Sequence, residues 1–219
     1  MKQTGLLLLL LIGLAVPAAA HVIDYDPDQL PTTQVFWNYL VMGFQHIIPE
    51  GFDHILFILC VFFLNTNIKK VILQATMFTV AHSITLGLAM YGVIRPANNI
   101  IEPLIAISIV FLAVENIFSD KVKPWRIIMV FLFGLVHGMG FAASISNAGM
   151  PQYAFAEALI GFNLGVEVGQ LSIILCMYFF VAKIFARKIW YRPRIVIPIS
   201  IIIALVASYW TIERIFFTG

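Results

Sequence analysis

The residues best suited to chemistry sit in one stretch, GFQHIIPEGFDHILF from Gly43 to Phe57, which sets His46, Glu50, Asp53 and His54 around a Pro49-Glu50-Gly51 break. The run on either side is apolar. Ionisable groups at membrane depth are costly and are a functional-site hypothesis by default. Later apolar segments add His82, Glu102, His137 and Glu167. Imidazole together with carboxylate suits a borderline divalent cation such as nickel, zinc or ferrous iron, and the lack of a thiolate or methionine cluster argues against copper(I). On this reading Asp53 and His54 are primary ligands, His82 and His137 are deeper ligands, and Glu102 and Glu167 bind metal or relay protons. His46 stands at the mouth, while Asn163 and Gln170 orient the ligands by hydrogen bonding. The competing reading of any one of these groups is a hydrogen bond that ties helices together. Glu115 and Glu213, near helix ends, are read that way.

Composition says what must position these groups. The chain has 219 residues, is 61% hydrophobic and only 11% charged, and has a mean hydropathy of +0.97. Those values describe an integral membrane protein rather than a soluble domain. A hydrocarbon core of about 30 Å needs roughly 20 apolar residues per helix, so the length allows about six crossings with short loops. The expected fold is all-α, a polytopic transmembrane helical bundle whose first crossing is broken at Pro49-Gly51. Cys60 and Cys176 lie inside apolar runs without metal or redox spacing and are read as packing residues.

Residues 1–20 have the charged start, short apolar centre and Ala-x-Ala end of a cleaved signal peptide. Residues 21–34 then form a short acidic arm in the periplasm, and residues 35–219 a single transmembrane domain. Expected helices run over 33–48 and 51–65, then 70–93, 99–118, 126–147, 154–182 and 194–216. In the fifth crossing Gly161, Gly165 and Gly169 make a small-residue stripe for close packing, with Asn163, Glu167 and Gln170 on roughly the opposite face. A mature N-terminus outside puts ten cations, from Lys69 to Arg194, on the cytoplasmic side and only Arg95 and Arg214 outside. The bias fits a multi-pass protein of the bacterial inner membrane with both termini periplasmic. It also accounts for the net charge of +2 without a nucleic-acid partner.

A helical rise of 1.5 Å per residue assigns depths. Asp53, His54 and Glu102 fall near the outer ends of their helices, while His82, His137, Asn163 and Glu167 reach the middle. One cavity opening outward and narrowing inward accommodates them all.

The segments HIIPEGFDHILF, FTVAHSITL, EPLIAISIVFLAVEN, FGLVHGMGFA and FNLGVEVGQL, in this order, resemble the HupE/UreJ family of hydrogenase and urease accessory membrane proteins, especially its second branch. The similarity spans residues 36 to 180 or so. It implies a polytopic inner-membrane protein and, from the characterised branch, nickel uptake. That branch has five residues between its first His and the Asp-His pair, where this chain has six between His46 and Asp53. Phe133 and Gly140 stand where its fourth crossing carries a His and a Glu.

The expected function is a permease for a divalent metal ion, nickel by resemblance, or a metal-binding accessory protein. Its partners would be membrane lipid, the ion and a metalloenzyme maturation system. Two rivals are an intramembrane zinc-dependent hydrolase, with Ser83 or Ser144 beside the metal, and a non-transporting accessory subunit.

Overall fold

A computed structural model describes residues 30–65, 67–95, 97–145 and 150–217, the side chains of 143–145 apart. The expected signal peptide, most of the arm and the Ser144 side chain lie outside the described residues. Among those described there is no strand. The main helices are α1 (Thr32–Ile47), α2 (Phe52–Leu64), α3 (Ile68–Met90), α4 (Asn98–Phe118), α5 (Arg126–Ile145), α6 (Phe155–Met177) and α7 (Ile197–Phe216). A π turn at Tyr178–Ala182 and a last turn at Lys183–Phe185 extend α6, and a π turn at Arg192–Val196 leads into α7. Helix α3, the extended α6, α4 and α7 are long and apolar enough to cross a bilayer; α1 and α2 pass together as one span bent by 69°. With the shorter apolar α5, the fold is a polytopic bundle of about six crossings.

The break falls where Pro49 removes a backbone donor and Gly51 allows close approach. A Cβ at Gly51 would lie 2.2 Å from the carbonyl oxygen of His46, so α2 starts folded tightly against the end of α1. This turn brings His46 beside His54, although eight positions separate them. The expected second crossing ends three residues early, at Met90 rather than Val93. Gly92 takes φ +77°, and the amides of Gly92 and Val93 bond back to Ala89 and Leu88 at 3.0 and 2.9 Å. That is a glycine C-terminal cap, which apolar periodicity alone does not reveal.

Two glycine seams set the lateral arrangement. Added Cβ atoms at Gly161 and Gly165 would come within 2.4 and 2.0 Å of the carbonyl oxygens of Phe36 and Leu40, and one at Gly169 within 2.7 Å of Ile47 Cβ. Helix α1 therefore lies parallel to α6 at backbone contact, as the small-residue stripe anticipates. Gly134 and Gly138 repeat the device between α5 and α3, where a Cβ would meet the carbonyl oxygens of Phe78 and His82 at 2.6 and 2.3 Å. The polar face of α6 turns towards α3, which runs antiparallel to it.

Apolar packing falls into two clusters. One gathers Val35, Tyr39, Ile47, Leu86, Phe162 and neighbours around α1 and α6; the other gathers Phe57, Phe62, Phe78, Ile109, Leu112 and neighbours around α2 to α5 and reaches the end of α6 and α7. At the end of the second cluster farthest from the break, Arg126 is fully buried and ion-paired with Glu115. Its Nη2 donates to the carbonyl of Cys60 at 2.9 Å and to Asn116 Oδ1 at 3.2 Å. Asn116 Nδ2 donates to the same Cys60 carbonyl at 2.9 Å.

Candidate metal centre

Helices α1, α2 and α3 each deliver one histidine to a common point, and α5 sets a fourth, His137, against His54. His46 and His54 have ring centroids 4.7 Å apart, His54 and His82 5.9 Å, His46 and His82 6.3 Å, and His54 and His137 5.0 Å. His54, His82 and His137 are 6%, 0% and 1% exposed. One ligand atom from each of His46, His54 and His82 lies within 4.8 Å of the other two. Nitrogens bound tetrahedrally to zinc at about 2.0–2.1 Å sit roughly 3.4 Å apart, so an ion draws the rings inward by about 1 Å. Each histidine also keeps one buried nitrogen without a protein partner: Nε2 in His46, His54 and His82, and Nδ1 in His137.

Neighbouring groups fix which nitrogen carries the lone pair. Asn163 Nδ2 donates to the Leu159 carbonyl at 2.8 Å, which turns its Oδ1 to His82 Nδ1 at 3.3 Å. Since Oδ1 only accepts, His82 carries its proton on Nδ1 and presents a lone pair at the unpartnered Nε2. Ser108 Oγ donates its single proton to the Ile105 carbonyl at 2.6 Å, so it accepts from His137 Nε2 at 3.0 Å. His137 therefore presents its lone pair at Nδ1. In both rings the free nitrogen is the one a metal would take, the arrangement outer partners create around metal-bound histidine.

The walls are aromatic. Phe141 lies 3.8 Å from His46 between ring centroids, Phe78 5.0 Å from His137, and Phe57 5.1 Å from His137. On one side the cluster opens into a cavity of about 250 Å³ lined by His46, Glu50, Asp53, His54, Glu102 and His137 among others. Arg214 of α7 reaches into it, donating to Asp53 Oδ2 at 2.9 Å and to the Glu102 carbonyl at 3.1 Å. The Asp53 carboxylate thus faces a guanidinium as well as the cavity. The donor set nearest the point of convergence is neutral nitrogen, which fits a borderline divalent ion better than calcium or magnesium.

The structure divides the expected site residues. His46, His54 and His82 converge, His137 stands against His54, and Asp53 and Glu102 line the adjoining cavity. Asn163 holds His82. Glu167 is elsewhere: its carboxylate accepts from Thr76 and Thr79 hydroxyls at 2.6 and 2.5 Å, in a groove of about 360 Å³ between α3 and α6. Ser83 lines that groove too and donates to the Thr79 carbonyl at 2.6 Å. Gln170 stands 3.3 Å from Thr79 Oγ1 and belongs to the same network. Sequence reasoning missed Ser108, a small residue in an apolar helix, and Arg214, which read as an external charge at the end of its helix.

A family model described as HupE / UreJ protein matches residues 25–214, so the comparison takes in every helix that builds the centre. No curated protein and no solved structure matches the chain. A match over most of its length places this membrane protein in the HupE / UreJ family.

Proposed function

We propose that the protein is a divalent metal ion permease, or a metal-binding accessory protein, of the bacterial inner membrane, with nickel as the cargo suggested by its family. The observation that carries this reading is the trio His46, His54 and His82, whose ligand atoms lie within 4.8 Å of one another and whose Nε2 atoms are buried without a protein partner. His137 is the fourth donor. Asp53 and Glu102 in the cavity attract the cation, and the turn at Pro49-Gly51 is the hinge that admits it. The signal-peptide pattern in the sequence of residues 1–20 and the cationic loops favour periplasmic termini and an outward-opening cavity. A metalloenzyme maturation system would receive the ion. Because histidine binds metal only when neutral, affinity falls as pH falls.

The test is elemental analysis and metal flux in proteoliposomes, using protein purified without a metal-binding tag, beside a His54→Ala/His137→Ala variant. Micromolar nickel binding and flux, both absent from the variant, are the expected outcome. Equal binding by variant and wild type would remove the histidine centre from the function.

A second reading has its own support. Three histidines facing a cavity that holds Glu50, Asp53 and Glu102 also suit a catalytic zinc that activates water. Near-stoichiometric zinc that resists chelation, with turnover of a lipid or peptide, would favour a hydrolase. Zinc lost on dialysis, with no turnover, rejects it.

A further inference from the structure

We propose that the buried Arg126–Glu115 knot is the closure on the inner side of the metal's route, opened and remade as the ion leaves the histidines. The inference rests on the permease reading and extends it to residues outside the metal centre. From His54, α2 descends through Phe57, whose ring lies 4.8 Å from Phe78 and 6.2 Å from Phe133. One turn further on is Cys60, fully buried. Its carbonyl accepts from both Arg126 and Asn116. The guanidinium of α5, the carboxylate and amide of α4 and the backbone of α2 are thus tied together beneath the aromatic floor of the site. An ion moving inward between these helices meets a closed aromatic layer and then a fixed positive charge.

Burial of this pair is poorly explained by stability. Apolar residues of similar volume do as well or better in such positions, whereas loss of one partner is strongly destabilising. A switch between two arrangements is a better account of why ionic groups occupy the place. The knot is also incompletely satisfied: Glu115 Oε1 and Arg126 Nε are buried and have no protein partner. Both atoms gain partners if the helices part and water enters, which lowers the barrier to opening. At the other end of α2 the cavity is open and Asp53 is held by Arg214. One end of the route is therefore accessible while the other is tied shut, as alternating access requires.

Cys60 is a native reporter. With the exposed Cys176 replaced by Ser it is the sole thiol, since the chain has two cysteines. In inside-out vesicles a membrane-impermeant maleimide should label Cys60 slowly in the absence of metal and at least tenfold faster with saturating nickel. Glu115→Gln should give the fast rate without nickel. The apolar pair Glu115→Leu/Arg126→Met keeps the bundle folded even where the single variant does not; it should bind nickel normally, label slowly under all conditions and lose flux. Wild-type flux through the apolar pair, or equal labelling of wild type and Glu115→Gln, would overturn the closure. Absence of nickel binding by wild type would instead overturn the permease reading, while the labelling contrast between wild type and Glu115→Gln still decides whether the knot seals that end.

Discussion

Two polar regions at similar depth in the same bundle are built on opposite principles. In the groove between α3 and α6, Glu167 meets two hydroxyls at 2.5–2.6 Å, and Ser83 turns back on its own helix. Its rim is the exposed apolar surface of Val80, Ile160 and Leu164. In the histidine centre four rings are packed into an aromatic box, and each keeps a buried nitrogen that nothing in the protein satisfies. Buried polar atoms are almost always paired; scattered exceptions occur elsewhere, Gln170 Nε2 beside the groove among them, but four on neighbouring rings call for a ligand. Polarity at membrane depth therefore does not by itself identify a site. Unsatisfied hydrogen-bonding capacity that converges on one point does.

The largest test of that contrast is removal of a central ligand. His54→Ala should lower nickel or zinc affinity by more than about 100-fold, beyond the roughly 10–100-fold seen when only an outer partner of a ligand is lost. Titration calorimetry in detergent reads it, with helicity as the folding control. Affinity within threefold of wild type would mean that the converging nitrogens do not form the site. The next effect concerns Asn163, which touches His82 but points no atom at the ion. Asn163→Leu frees the His82 ring to change tautomer, and affinity should fall about tenfold. If it does not, the proton on His82 Nδ1 is held by something other than this contact.

Much of this was legible in the chain. Pro49 and Gly51 announced a break, the three glycines of α6 announced a seam, and counting residues from helix ends put His82 and His137 near the middle and His54 nearer the outer end of one shared cavity. What was not legible depended on rotation about helix axes and on the angle of the break. His46 read as a mouth ligand because the sequence gives the position of the break and not its angle; the 69° bend brings it against His54. Glu167 read as part of the cavity because depth alone cannot distinguish its face from that of Asn163, one turn away. Arg126 and Arg214 counted as topological charges at helix ends, yet one is fully buried against Glu115 and the other bends inward to Asp53. The aliphatic stem of arginine lets the charge lie several ångströms from where its Cα suggests.

Arg214 offers a smaller effect of opposite sign. It places a positive charge in the cavity through which the cation arrives and occupies one oxygen of Asp53. Arg214→Gln should raise divalent-ion affinity roughly threefold to tenfold at low salt, since charges about 8 Å apart in a solvated cavity interact by about 1 kcal/mol for a doubly charged ion. The gain should shrink at 0.5 M salt, where screening shortens the reach of the field. Unchanged affinity at both salt concentrations would mean that the ion pair with Asp53 is purely structural.

The smallest expected effect is the most discriminating. Glu167→Gln keeps the length and planarity of the side chain, and its amide can still engage the hydroxyls of Thr76 and Thr79. If the groove is a finished hydrogen-bonded seam, metal affinity should stay within about twofold and stability should change by no more than about 1 kcal/mol, the scale of one hydrogen bond. Metal binding by calorimetry and thermal unfolding in detergent measure the two quantities independently. A tenfold fall in affinity with unchanged stability would erase the distinction between the two regions. The carboxylate would then be acting on the ion through Asn163 and His82, one helical turn away, and the groove would have to be counted as part of the metal site.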